Sequence, residues 1–142
     1  MSAARYDIYA EQGTTFRLYF NWKLNNVPVN LSGYSGDFQV RKSLKDDKAI
    51  LYLTTNGVTG GGITGDFTPG LDGVSGIGGI SFNTSINGTG ETGGILFKID
   101  DVTMTKAIPG KHFYDFKIKN TSGDVRRLVE GTFEISKQIT RI

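Results

Sequence analysis

Hydrophobic and polar residues alternate along most of this chain, most clearly between residues 110 and 136. Tyr114, Phe116 and Ile118 share one face of a predicted strand, and a polar turn with one glycine follows at residues 120–124. Beyond the turn, one face of a second strand carries Val125, Arg127, Val129, Gly131, Phe133 and Ile135. Period-two patterning on both sides of a short turn indicates a β-hairpin.

A second alternating segment spans residues 14–24. One face of this segment carries Phe16, Leu18, Phe20, Trp22 and Leu24. We expect a continuous strand whose apolar face forms the spine of the core. Asn25 and Asn26 predict a turn, and Pro28 confines the next short segment to a sheet edge because proline cannot donate a ladder hydrogen bond.

Residues 57–94 have a different character, because 14 of the 20 glycines lie there. Isolated apolar residues still recur among them, and a disordered linker would carry fewer. We therefore predict a glycine-rich insertion of short strands or a long hairpin, with residues 95–99 returning to the sheet. Long segments of this kind inside a compact domain tend to be functional.

The remaining segments complete an all-β domain over residues 1–142. Shorter strands are expected at residues 6–9, 37–42 and 49–54, and a single helical turn is expected at residues 100–107. Residues 1–12 are interpreted as an N-terminal arm that carries an unpaired edge strand. Seven to nine short strands with polar turns predict an antiparallel β-sandwich of the immunoglobulin-like kind, with a small barrel as the alternative.

Composition narrows the classes of partner. Sixteen basic and 14 acidic residues give a net charge of +2 and are spread along the chain, so neither a nucleic-acid partner nor a membrane partner is predicted. The basic neighbours Arg126 and Arg127 are interpreted as solvated strand positions. The chain has no cysteine, which excludes disulfides and thiolate chemistry. Neither an export signal nor a membrane-spanning apolar run is recognisable in the sequence.

The sequence contains no recognisable motif for catalysis, metal binding or cofactor binding. His112 is the only histidine, and its neighbours at a strand start suggest a surface position with a structural role. The glycine clusters lack the Gly-Lys-Ser/Thr of a phosphate loop. An oxygen-ligated calcium site from Asp66, Asp72 or Asp100 is the remaining metal hypothesis, but no known calcium-loop pattern surrounds these residues. We therefore predict no catalytic, cofactor or metal site.

Exposed aromatic residues are the alternative source of function, because tyrosine anchors protein interfaces and stacks on sugars. The candidate interface residues are Tyr6, Ile8, Tyr9, Tyr19, Tyr34 and Phe67. The competing interpretation for each tyrosine is partial burial at a sheet edge.

Six segments together resemble a known class of protein. They are residues 6–16, 28–34, 38–43, 110–118, 125–131 and 139–141, in that order along the chain. This order is similar to small virion structural proteins of tailed bacteriophages, and to the immunoglobulin-like N-terminal domains that attach baseplate and receptor-binding proteins to the particle. The resemblance covers both ends, roughly two thirds of the 142 residues. The glycine-rich insertion departs from it, because the middle is shorter in that family.

The resemblance implies a non-enzymatic building block of the virion, assembled in the bacterial host cytoplasm. Its partners would be other virion proteins and further copies of itself as a homo-oligomer, with contacts through residues 1–12 and 57–94. Fused relatives continue past this point into a fibre region. This chain stops at Ile142, so we expect it to attach a separate polypeptide or another copy of itself. The position on the particle is taken to be the tail, baseplate, neck or a fibre adaptor. The alternatives are a capsid decoration or head-fibre protein and a carbohydrate-binding adhesion module that uses Tyr19 or Tyr34.

Overall fold

The computed structural model describes residues 3–43, 49–54, 57–59, 75–76, 78–85, 90–99, 101–105 and 107–139. Within these ranges the chain forms thirteen strands and one short helix. The strands are β1 (Ala4–Arg5), β2 (Ile8–Glu11), β3 (Phe16–Asn21), β4 (Lys23–Leu24), β5 (Val27–Pro28), β6 (Ser35–Arg41), β7 (Ala49–Thr54), β8 (Gly57–Thr59), β9 (Ser75–Gly76), β10 (Gly78–Thr84), β11 (Gly90–Ile99), β12 (Gly110–Lys119) and β13 (Val125–Ser136). The helix α1 (Asp101–Thr105) precedes β12.

Two sheets pack face to face as a β-sandwich, which confirms the predicted all-β class. The large sheet has the order β1-β13-β12-β6-β7-β8-β9, and β2 also pairs with β13. The small sheet has the order β10-β11-β3, and β4 pairs with β5 in a separate hairpin. The long strands pair antiparallel with their neighbours, while β1 and β2 both run parallel to β13.

The predicted hairpin at residues 110–136 is confirmed as β12 and β13. Its turn is an Asx turn, because the Asn120 side-chain Oδ1 accepts from the backbone N–H of Ser122 at 2.9 Å and of Asp124 at 3.0 Å. Gly123 supplies the positive φ of 92° that closes the turn. A bulge after Phe116 shifts the register of the ladder near the turn.

Four fully buried phenylalanines join the two sheets. Phe38, Phe116 and Phe133 come from the large sheet, and Phe97 comes from β11 of the small sheet. The rings of Phe97 and Phe116 meet edge to face with centroids 4.8 Å apart, and those of Phe97 and Phe38 lie 5.0 Å apart. Such pairs add about 0.5–1.5 kcal/mol each beyond simple burial. Aromatic contacts across the layers therefore fix how the sheets pack.

The expectation of one continuous strand over residues 14–24 is wrong at its end. β3 stops at Asn21, and the backbone N–H of Trp22 bonds to the carbonyl of Gly93 as the chain leaves the sheet. Phe16 is buried, but Leu24 is 42 % exposed. Asn25 and Asn26 form the predicted turn, with φ of 52° and 66°, the backbone that a two-residue hairpin requires.

The N-terminal arm is paired, so the expectation of an unpaired strand in residues 1–12 is wrong for the part that the structure describes. β1 lies beside Val129 and Glu130, and β2 lies beside residues 133–136. The predicted edge strand at residues 6–9 is displaced, because the Tyr6–Asp7 segment crosses over Gly131 between the two strands.

The glycine-rich insertion contains short strands, as predicted, at β8, β9, β10 and the first part of β11. β11 continues to Ile99 and pairs with β3, so the predicted return to the sheet is confirmed. The rest of residues 57–94 lies outside the described residues.

Candidate interaction surface

A groove opens between the two sheets beside the N-terminal arm. We call it the arm groove; its volume is about 390 Å³. It is lined by Ala4, Arg5, Tyr6, Phe20, Asn21, Trp22, Ile95, Phe116, Arg126, Arg127, Leu128 and Val129. Ile95 and Phe116 are almost fully buried and belong to opposite sheets. The groove therefore reaches the core at the open side of the sandwich.

Hydrogen bonds hold the arm that forms one wall of this groove. The backbone N–H of Tyr6 donates to the Glu130 carbonyl at 2.9 Å, and the Tyr114 hydroxyl donates to the Tyr6 carbonyl. The backbone N–H of Thr132 donates to the Asp7 carboxylate at 3.1 Å. Because this bond favours the charged carboxylate, it lowers the pKa of Asp7 below its usual value.

Gly131 explains why the arm crosses the sheet at Tyr6. A Cβ atom added at Gly131 would lie 2.3 Å from the Tyr6 carbonyl oxygen and 3.0 Å from Asp7 Oδ1. Only a residue without a side chain allows this approach. The Tyr6 ring then meets Phe20 edge to face at 5.6 Å, which places an aromatic wall on the groove.

Three arginines surround the arm groove. Arg5 pairs with Asp7 at 3.2 Å, and Arg127 pairs with Asp115 at 3.2 Å. The guanidinium of Arg126 lies 6.0 Å from the centre of the Trp22 ring, a cation–π distance. The floor of the groove is apolar, and Arg126 is the arginine of its rim that has no carboxylate partner among the described residues.

A second concavity of about 570 Å³ shares Trp22 and Arg126 with the arm groove. Its apolar lining comes from Trp22 just after β3, from β4 and the loop after β5, and from the ends of β12 and β13 next to their turn. We call this surface the hairpin cap; its members are Trp22, Leu24, Val27, Val29, Tyr34 and Val125. Val27 does not line the concavity but pairs with Leu24 across the hairpin.

Side chains of the hairpin cap are unusually exposed for aliphatic residues. Val27 is 64 % exposed, Val125 is 60 % exposed and Leu24 is 42 % exposed. Alternation predicted that Leu24 would face the core and placed Val125 on the same face as Phe133, and both expectations are wrong. Leu24 lies in β4, which pairs with β5 in a hairpin separate from the two sheets, and the bulge in the β12–β13 ladder pairs Val125 with exposed Lys119. Clustered apolar exposure of this kind marks interaction sites.

Asn83 holds the loop behind the hairpin cap. Its Oδ1 accepts from the backbone N–H of Leu31 at 3.1 Å and of Gly93 at 3.2 Å, while its Nδ2 donates to Asn30 Oδ1 at 3.1 Å. Asn83 has a positive φ of 54° at a break in the β10–β11 ladder. The residue ties the loop after β5 to the small sheet. An asparagine within a glycine-rich segment is the sole sequence feature that points to this role.

The predicted interface residues fall into separate places. Tyr6 is 46 % exposed beside the arm groove, and Tyr34 is partly buried in the hairpin cap. Tyr9 is 74 % exposed on β2. Tyr19 is partly buried, and its hydroxyl donates to the Glu91 carboxylate.

The two apolar candidates give no exposed surface in the described residues. Ile8 is only 3 % exposed and packs in the core. Phe67 lies outside the described residues. The structure thus brings Tyr6 and Tyr34 to neighbouring concavities, joined through Trp22, which sequence reasoning had assigned to the core.

His112 is buried, so the expectation of a surface histidine is wrong. Only 2 % of it is exposed, and its Nε2 lies 2.7 Å from the Ile108 carbonyl. Nε2 must therefore carry the hydrogen, and Nδ1 has no hydrogen-bond partner in the described residues. This hydrogen bond ties the start of β12 to the segment that connects it to α1.

The described residues offer no cluster of three or more side chains able to hold a metal ion. The candidate calcium ligands Asp66, Asp72 and Asp100 lie outside them. Among the described helices, none is long and apolar enough to cross a membrane.

Comparison of the sequence with protein-family models and with curated proteins found no match.

Proposed function

We propose that this β-sandwich is a non-enzymatic virion structural protein that acts through protein–protein contacts. The observation that carries the proposal is the hairpin cap, where aliphatic side chains stay exposed around Trp22 and Tyr34. Aromatic residues are enriched in the buried centres of protein interfaces. Covering this surface with a partner would stabilise the complex by about 25 cal/mol for each Å² of apolar area removed from water.

The resemblance to small structural proteins of tailed bacteriophages supplies the biological context of this proposal. It assigns the chain to the tail, baseplate, neck or a fibre adaptor, with other virion proteins as partners and self-association as a homo-oligomer. The immunoglobulin-like form of the sandwich belongs to the same proposal. We expected the arm to contact a neighbour through an unpaired strand. Because β1 and β2 pair with β13, the proposed contact uses the side of these strands that faces away from β13.

Gold-labelled antibody against the purified protein, applied to lysates of cells that carry the gene, tests this proposal. We expect label on tailed particles in the electron microscope. Label at the tail supports the position proposed here, and label on the head favours a capsid decoration protein. Protein found only in the particle-free fraction would overturn the virion assignment.

The hairpin cap is tested by particle incorporation of Val125→Glu. Val125 is well exposed, so the charge should leave the fold intact, which circular dichroism checks. Loss of incorporation is expected because a buried unpaired carboxylate opposes docking. Lys42→Glu, also exposed but outside both concavities, is the matched control. Equal incorporation of both variants would exclude the hairpin cap as the contact.

A further inference from the structure

The arm groove lies where a further strand would extend the small sheet. β3 is the last strand of that sheet, and on its side away from β11 no described strand pairs with it. The end of β3 forms one wall of the groove, while residues 4–6 of the arm form the other. An unpaired strand edge presents N–H and carbonyl groups to any extended chain beside it.

The floor of the groove suits alternating apolar side chains. Ile95, Phe116 and Val129 are buried residues that reach it from three different strands. A strand added to an edge turns every second side chain toward the core. The volume of about 390 Å³ lies within the range of ligand-binding pockets.

The charge of the rim selects the other side chains of the occupant. Arg5 and Arg127 already pair with carboxylates of the protein. Arg126 has only the Trp22 ring as a charged or aromatic partner in the described part of the chain. A carboxylate placed beside Arg126 would complete a charge-assisted hydrogen bond.

We propose that the arm groove binds an extended acidic segment of another protein, which adds as a strand to β3. Its apolar side chains lie on the floor, and a carboxylate pairs with Arg126. The chain has a net charge of +2, so an acidic partner complements the groove better than a second copy does. This inference rests on the proposed function only in that both require a protein partner.

Selection from a surface-displayed library of random peptides, each at least as long as the six-residue β3, tests the proposal. We expect enriched peptides that alternate apolar and acidic residues. Arg126→Glu should weaken their binding about tenfold or more, because the charge at the rim is reversed. Lys42→Glu makes the same charge change outside the groove and should leave binding unchanged.

Amide hydrogen exchange of the wild-type protein with an enriched peptide gives the second measurement. Slower exchange within β3 is expected, since its free edge gains partners. Basic or non-alternating consensus peptides, equal binding to Arg126→Glu, or unchanged exchange in β3 would each overturn the inference. So would competition by a single-stranded oligonucleotide alone, or self-association that Arg126→Glu abolishes and no peptide inhibits.

The two proposals fail separately. Incorporation into particles that depends on Val125, together with peptide binding that is equal in wild type and Arg126→Glu, would remove the strand-addition inference and leave the structural function. If this protein binds peptides at the arm groove but is absent from particles, the structural function is removed and the strand-addition inference stands.

Discussion

Replacing Gly131 by alanine should detach the N-terminal arm from β13. The added Cβ would lie 2.3 Å from the Tyr6 carbonyl oxygen, and the clash involves backbone rather than a flexible side chain. The arm must therefore shift away from the sheet. Its shift would weaken the bonds that join Tyr6 to Glu130 and to Tyr114, and the bond from Thr132 to Asp7.

The expected loss follows from those three hydrogen bonds. Each contributes about 1 kcal/mol net, giving about 3 kcal/mol if all are lost. Alanine returns about 0.5–1 kcal/mol, because glycine within a strand is entropically unfavourable. We expect Gly131→Ala to lower the free energy of unfolding by about 2 kcal/mol.

Urea denaturation measures this change, and amide exchange locates it. The Tyr6 and Thr132 amides should exchange faster in the variant. Amides in the centre of β12 should lose only as much protection as the fall in the free energy of global unfolding accounts for. Gly90→Ala is the matched control, since that position also lies in a strand and its nearest atom would be 4.0 Å from the new Cβ. Gly131→Ala as stable as the Gly90→Ala control would refute the close-approach argument.

Three further predictions concern titration and burial. The Asp7 pKa is lowered in the folded state, so its contribution to stability is present above the unfolded value near 3.9 and is lost as pH falls through the folded pKa; Asp7→Asn should flatten the acid limb of a stability–pH curve, and an unchanged limb would contradict this. Burial raises the pKa of Tyr114 far above its usual value, so its contribution is present below about pH 10 and is lost as pH rises further; Tyr114→Phe should reduce the alkaline loss of stability seen by fluorescence, and an identical alkaline slope would count against it. His112→Ala should lower the unfolding free energy by about 2–4 kcal/mol in urea, because a buried ring and the donor to Ile108 are removed; a loss under about 0.5 kcal/mol would show that the site is not packed as described.

The sequence by itself determined the elements whose causes are local. Alternation predicted β12 and β13, because a strand turns successive side chains to opposite faces. The polar turn between them and the Asn25–Asn26 turn were predicted from residues that favour those backbone angles. The short helix and the β-sandwich class follow from the same local rules.

Only the tertiary structure decided which strand faces are covered. Alternation placed Val125 on the same face as Phe133, but the bulge in the β12–β13 ladder shifts the register, so Val125 pairs with Lys119 on the exposed face while Phe133 is buried. Leu24 is a surface residue because β4 forms a separate hairpin with β5, and Trp22, which follows the end of β3, lines both concavities. His112 shares the buried face of β12 with Tyr114, as alternation would place it, but only the fold supplies the Ile108 carbonyl that pairs with its ring.

The arm shows the same division between local and long-range causes. Residues near the start of the chain pair with β13 more than a hundred positions later, and the parallel register depends on the absence of a side chain at Gly131. A glycine within a strand pattern indicates close approach of some other group. Only the fold identifies that group as the Tyr6 backbone, because long-range contacts depend on how the sheets are arranged and not on the residues beside them in sequence.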